Sequence, residues 1–195
     1  MCTWWRAADS CQAVLERGVR VRIDTGSKLP DGVFRVLEAS GPAIVSAADL
    51  FSGKSVVLFS CPGAFTEKST RLQVPSYLRY SSELFSLGVD TICCVSVNDA
   101  FVMHAWGERC EVGNKILMLA DGQCEYHTQL GLEMDCTRFA LGFRSHRFSL
   151  LAVDRVVRIL NIEEPGAYEV SDAAVITGQI RESGIFDEGD KNDFR

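Results

Sequence analysis

The chain has 195 residues, with 20 Lys and Arg against 26 Asp and Glu, for a net charge of −6. That length fits one domain able to bury a sizeable core. The acidic balance excludes the basic face that non-specific nucleic-acid or anionic-membrane binding requires. No apolar run approaches the ~20 residues of a membrane span, so a soluble protein is expected.

Residues 1–18 carry Trp4, Ala8, Cys11 and Leu15 at i, i+4, i+7 and i+11, one apolar stripe of a helix stopped at Gly18. A helix packed on the domain surface is favoured. A mitochondrial-type presequence is the alternative: Arg6 and Arg17 suit it, whereas Asp9 and Glu16 do not. Residues 19–23 and 33–37 alternate like half-buried strands, and Ser46 with Asp49 marks a short capped turn. Residues 56–60 form a continuous apolar run suited to a central strand covered on both faces. A helical pattern over 69–87 contains Pro75, which should kink or divide it, and Gly88 ends it.

Residues 91–97 read as the next central strand, and Asn98-Asp99 as a cap for a helix over 100–106. A strand over 116–120 meets a turn at Asp121-Gly122. Residues 148–153 and 156–162 form a hairpin about Asp154-Arg155, and Ser171 caps a last helix over 172–180. The sequence thus divides into an N-terminal helical extension (1–18), one domain (19–186) and a charged tail (187–195). Strand–helix–strand–helix–hairpin–helix in this order predicts an α/β, thioredoxin-like fold, with a central mixed sheet flanked by helices.

Eight cysteines, at positions 2, 11, 61, 93, 94, 110, 124 and 136, come without the apolar core of a secretory signal. A reducing, cytoplasmic-type compartment is expected, with mitochondria the alternative if 1–18 acts as a presequence. No C-x-x-C pair is present, and His104, His127 and His146 show no ligand-like spacing, so no metal and no cofactor are expected. Adjacent Cys93 and Cys94 should point to opposite faces of their strand. Most of the thiols read as small buried hydrophobes.

The most informative stretch is Cys61-Pro62-Gly63-Ala64-Phe65-Thr66-Glu67-Lys68-Ser69-Thr70. It lies where a central strand hands the chain to a helix N-terminus, a common place for ligands and reactive groups. Together with the run from Cys94 through Asn98-Asp99 to Met103, Ala105-Trp106, residues 118–122, Leu130-Gly131-Leu132, residues 144–149 and residues 161–166, it is similar to the peroxiredoxins. The resemblance is to the type II group, which includes the mammalian peroxiredoxin-five proteins, and covers roughly residues 29–180.

That resemblance implies reduction of hydrogen peroxide and alkyl hydroperoxides, with thioredoxin, glutaredoxin or glutathione-type thiol donors as partners. The family motif is Pro-x-x-x-Thr-x-x-Cys with a distant arginine. A helix N-terminus and a guanidinium favour the thiolate, while threonine and arginine donors hold the peroxide oxygens. By resemblance, Pro62 and Thr66 match the motif, and Arg147 matches the arginine, with Arg144 the second candidate. The peroxidatic cysteine position falls on Ser69. A serine hydroxyl lacks an accessible pKa and sulfur's softness toward peroxide oxygen, so lost or strongly reduced peroxidase activity is expected.

Ser69 is either an engineered substitution or a natural one. The neighbouring departures at Glu67 and Lys68, which read as exposed first-turn charges, favour natural degeneration. An active peroxidase remains the rival reading, through an engineered-away cysteine at 69 or through Cys61 as a surrogate thiol. Cys61 also reads as a buried inert thiol. Cys94 matches a second cysteine that pairs with the peroxidatic one in some relatives, and equally suits a core position. His104 reads as a solvated helix-face residue, His127 and His146 as ordinary surface or hydrogen-bonded residues, and Phe101, Trp106 and Phe143 as core or interface aromatics. The type II resemblance further implies a homodimer; nucleic-acid and membrane partners are not expected.

Overall fold

The computed structural model describes residues 22–186. The expected helix over 1–18 and the tail over 187–195 lie outside them, as do residues 19–21 of the first expected strand. Arg22 and Ile23 are in no strand. Regular structure begins with β1 (Val33–Glu38), β2 (Gly41–Ser46) and α1 (Ala47–Phe51). Ser46 caps α1, its Oγ accepting from Asp49 N at 3.0 Å, as the sequence predicts.

The centre is β3 (Ser55–Cys61), α2 (Val74–Ser86), β4 (Thr91–Ser96), α3 (Ala100–Arg109) and β5 (Leu117–Ala120). Then follow α4 (Glu125–Gln129), β6 (Glu133–Asp135), β7 (Phe143–Ser145), β8 (Phe148–Val153), β9 (Val156–Ile162) and α5 (Ala173–Ser183). Seven strands form one sheet in the order β2-β1-β5-β4-β3-β8-β9, while β6 and β7 make a separate two-stranded ribbon. β3, β4 and β5 are mutually parallel, and β8 runs antiparallel to β3. The α/β, thioredoxin-like fold is therefore as predicted.

β3 is buried at every position, which is why its sequence is apolar without alternation. Its side chains divide between two cores. Val56, Leu58, Cys93 and Val95 pack on one face with Phe34, Phe51 and Tyr126. Val57, Phe59, Cys61 and Cys94 pack on the other with Tyr77, Met103, Trp106 and Ile176. Cys93 and Cys94 thus do face opposite ways. The β8–β9 hairpin turns through Asp154 and Arg155 at φ 45° and 68°, the double left-handed conformation that matches strand twist.

Pro75 divides the expected 69–87 helix in a specific way. Residues Ser69–Gln73 form a π-helical turn, in which Val74 N reaches the Ser69 carbonyl, and α2 takes over with Pro75 in its first turn. Proline brings no N–H and crowds the preceding turn, so the wider turn absorbs it just upstream. One cap differs from expectation. Asp172, not Ser171, caps α5 by accepting from Ala174 N at 2.8 Å. Ser171 is instead claimed by Glu163, whose Oε1 accepts from its N–H at 2.8 Å and its hydroxyl at 2.9 Å.

Candidate active site at the end of the third strand

Parallel β3 and β4 end side by side, with Cys61 opposite Ser96. The chain leaving β3 crosses Pro62 and Gly63 and enters the π-turn at Ser69. Asn98, just beyond β4, braces this crossing: its Oδ1 accepts from Ala64 N at 2.9 Å and from Ser96 Oγ at 2.9 Å. Phe65 sits at φ 61°, a left-handed conformation uncommon for a bulky residue. Its ring is exposed and lies 6.4 Å from the Trp106 ring.

Thr66, Ser69 and Arg147 come together. Thr66 Oγ1 lies 2.7 Å from Ser69 Oγ and 2.8 Å from the Gly63 carbonyl, sharing its one proton between them. Arg147 Nη1 donates to Ser69 Oγ at 3.1 Å and also to Gln73 Oε1. Gln73 stands four residues beyond Ser69 and in turn donates Nε2 to the Ser60 carbonyl at 3.2 Å. Tyr168 covers the guanidinium from the other side, its ring centroid 5.6 Å from Arg147 Cζ. Ser69, Gln73 and Arg147 are all buried.

Arg144, the second arginine candidate, does another job. Its Nη1 donates to the Val97 carbonyl and its Nε to the Leu141 carbonyl, both at 2.9 Å. Glu67 and Lys68 are exposed, as expected for first-turn charges. His104 is exposed on α3, and Trp106 is a core residue, whereas Phe101 and Phe143 lie at the surface.

Cys61 lies fully buried at the end of β3, on the same sheet face as Cys94. Burial pushes its thiol up most strongly, but opposing influences prevail. Hydrogen bonding with Cys94, the Arg147 charge, and hydrogen bonding with Ser69 and Ser96 draw it down to about 7. Cys94 moves the other way: burial and the neighbouring Cys61 hold its thiol well up. The two thiols therefore differ in kind, one poised to ionise and the other to remain S–H. Full burial fits the reading of Cys61 as a core thiol, while the lowered pKa sets it apart from Cys93 and Cys94.

His127 takes the hydrogen-bonded role of the two the sequence allowed, and it is not at the surface. It is fully buried, with Nδ1 2.6 Å from Asp121 Oδ2 and Nε2 2.9 Å from Ser60 Oγ. Ser60 Oγ lies 2.7 Å from Ser145 Oγ. These polar groups lie beneath the sheet face opposite Cys61. The sequence reading missed them because Ser60 and Ser145 look like incidental strand residues. It also passed over Gln73, whose i+4 spacing from Ser69 was the available signal.

The Redoxin family model matches residues 24–176. "Peroxiredoxin-2E, chloroplastic" of Arabidopsis thaliana is 41% identical over 159 residues, 80% of this chain and 68% of that protein. "Peroxiredoxin-2F, mitochondrial" of the same plant is 39% identical over 134 residues, 68% of this chain and 67% of that protein. The solved structure of reduced Prx3 from Vibrio vulnificus in complex with H2O2 superposes with a TM-score of 0.78 at 43% identity, over 81% of this chain and 99% of that one. The chain belongs to the Redoxin family, among the peroxiredoxins, a family of antioxidant thiol peroxidases.

Proposed function

We propose that this protein is a hydroperoxide-responsive peroxiredoxin in which Ser69 occupies the peroxidatic position and has removed the fast reaction, while Cys61 beneath it retains a slow one. The observation that carries the reading is the reach of Arg147: the guanidinium that donates to Ser69 Oγ is also, after the Cys94 hydrogen bond, the strongest influence that brings the Cys61 thiol to about 7 against the effect of burial. The thiolate is then well populated at neutral pH, and the thiolate is what attacks a peroxide. Ser69 offers no such electron pair. Full burial of Cys61 limits the rate at which peroxide arrives.

The step is Cys61-S⁻ + ROOH → Cys61-SOH + RO⁻, in which sulfur is oxidised, the O–O bond breaks and solvent protonates the alkoxide. Thr66 and Arg147 would hold the peroxide oxygens, and Pro62 would shield the loop. A thioredoxin, glutaredoxin or glutathione-type donor returns the thiol. The proposal includes a homodimer, supported by exposed Phe65, Phe101, Phe139 and Phe143. It also includes the division into 1–18, 19–186 and 187–195, and a cytoplasmic location with a mitochondrial alternative. Among the described residues, no helix is long and apolar enough to cross a membrane.

The test compares hydrogen peroxide consumption by the full chain, Cys61→Ser and Ser69→Cys with a dithiol donor, each probed for sulfenic acid. Slow consumption that Cys61→Ser abolishes, and a rate at least about a hundredfold higher in Ser69→Cys, support the reading. No Cys61-dependent consumption would leave a binding or scaffolding role on an inactive site. Fast turnover by the unmodified chain would overturn both.

A further inference from the structure

We propose that Asp121, Cys124 and His127 form a binding site for a divalent cation of the zinc class. The site is separate from Ser69 and owes nothing to peroxide chemistry. All three residues are buried, and an Asp121 carboxylate oxygen, Cys124 Sγ and a His127 ring nitrogen lie within 4.8 Å of one another. Carboxylate, thiolate and imidazole together are the donor set such an ion prefers. The spacing, Asp-x-x-Cys-x-x-His, puts all three on the turn that opens α4.

The hydrogen bonds around His127 are compatible with Nδ1 as a ligand. Ser145 Oγ donates to the Cys61 carbonyl at 3.1 Å. With that direction the Ser60 proton goes to Ser145 Oγ, 2.7 Å away, and Ser60 Oγ accepts from His127 Nε2 at 2.9 Å; with the reverse direction Nδ1–H donates to Asp121 instead. A histidine that ligates through one nitrogen commonly donates the other N–H to such an outer acceptor. With Nε2 as the donor, the Nδ1 lone pair points at Asp121 Oδ2 from 2.6 Å, an arrangement that requires a proton or a cation between them. A tetrahedral ion bound at about 2.0 Å to each would part the two atoms to roughly 3.3 Å, a shift of several tenths of an ångström.

The remaining groups suit a cation. Asp121 is held in place by backbone N–H groups of Glu125, Tyr126 and His127. The Cys124 thiol donates to the Arg144 carbonyl oxygen at 3.6 Å, and with the thiol deprotonated that oxygen is available as a further ligand.

The experiment titrates Co²⁺ into the reduced, chelator-stripped full chain and follows the near-ultraviolet thiolate-to-cobalt absorption, with Zn²⁺ as competitor. One equivalent of Co²⁺ should bind, give that band and be displaced by Zn²⁺. Cys124→Gly should abolish the band, and the variant should fold, because residue 124 sits at φ 60°, where glycine is at ease. His127→Gln should abolish it as well; if that variant fails to fold, Cys124→Gly decides alone. Ser60→Ala should weaken affinity by about 10- to 100-fold through the lost outer acceptor. Cys61→Ser and Cys110→Ser should bind as the parent does. Absence of the band in the folded parent means that a proton alone joins His127 to Asp121, and overturns the proposal. A band that survives Cys124→Gly, or vanishes in Cys61→Ser, overturns it too.

Discussion

Arg147 Nη1 stands 3.1 Å from Ser69 Oγ, and Arg147 is also the charge that favours ionisation of Cys61. One guanidinium therefore serves both the position where the family reaction is expected and the thiol behind it. Replacing Arg147 with Gln should let the Cys61 thiol climb from about 7 toward the ordinary value of about 8.5. Thiolate absorption during a pH titration of the parent and the variant measures this directly. An unmoved titration would detach Cys61 from Arg147 and remove the main support for its reactivity.

Cys94 comes first among the groups that favour the Cys61 thiolate, and both lie on one sheet face. Once Cys61 is oxidised, the nearest reductant is this buried thiol rather than a donor in solvent. Condensation, Cys61-SOH + Cys94-SH → Cys61-S-S-Cys94 + H2O, should follow one equivalent of peroxide. Mass spectrometry should then find an intrachain link between peptides holding residues 61 and 94, with a loss of two hydrogens. A stable sulfenic acid at Cys61, with Cys94 still alkylatable after unfolding, would show that the two sulfurs do not meet.

The sheet centre was legible because burial on both faces leaves an uninterrupted apolar run, as at residues 56–60. The hairpin was legible because a two-residue turn fixes its register. β2 escaped notice: it is an edge strand, and Pro42 near its start reads as a break although an edge tolerates proline. β6 and β7 have three residues each, too few to show a period. Thr66, Ser69 and Arg147 were found through a motif, whereas His127 with Asp121 and Ser60 was not. A hydrogen-bond network assembled from a strand, a turn and a short helix has no signature along the chain. The cap of α5 went to Asp172 because Glu163, a distant residue, had taken Ser171.

Glu163 organises the loop that leads to α5. Its buried carboxylate accepts from the backbone N–H groups of Glu169, Val170 and Ser171 at 2.7, 2.8 and 2.8 Å. Burial raises its pKa, but these bonds and the one from the Ser171 hydroxyl outweigh it and hold the carboxyl below its ordinary value. A carboxyl with a lowered folded-state pKa contributes stability above its unfolded pKa of about 4.3 and loses it as pH falls through the folded value. Glu163→Gln should cost about 2 kcal/mol at pH 7 and weaken the acid dependence of stability below about pH 4.3. Urea unfolding at pH 7 and at several acidic pH values checks both. A variant as stable as the parent at pH 7 would show that the loop holds without the charge.

Tyr77 ties α2 to β3 through its ring and to that loop through its hydroxyl. Its ring stacks on Phe59 with centroids 3.8 Å apart and planes 4° from parallel, and its hydroxyl donates to the Ser171 carbonyl at 2.9 Å. Both rings are fully buried. Tyr77→Phe keeps the stack and strands a buried carbonyl, so it should cost about 1 kcal/mol. Tyr77→Ala also opens a cavity against Phe59 and should cost about 4 kcal/mol. Chemical denaturation of the pair gives the difference, and the larger share belongs to the ring because dispersion and burial scale with the atoms removed. Equal costs for the two variants would place the anchoring in the hydroxyl and the Ser171 loop instead of the core.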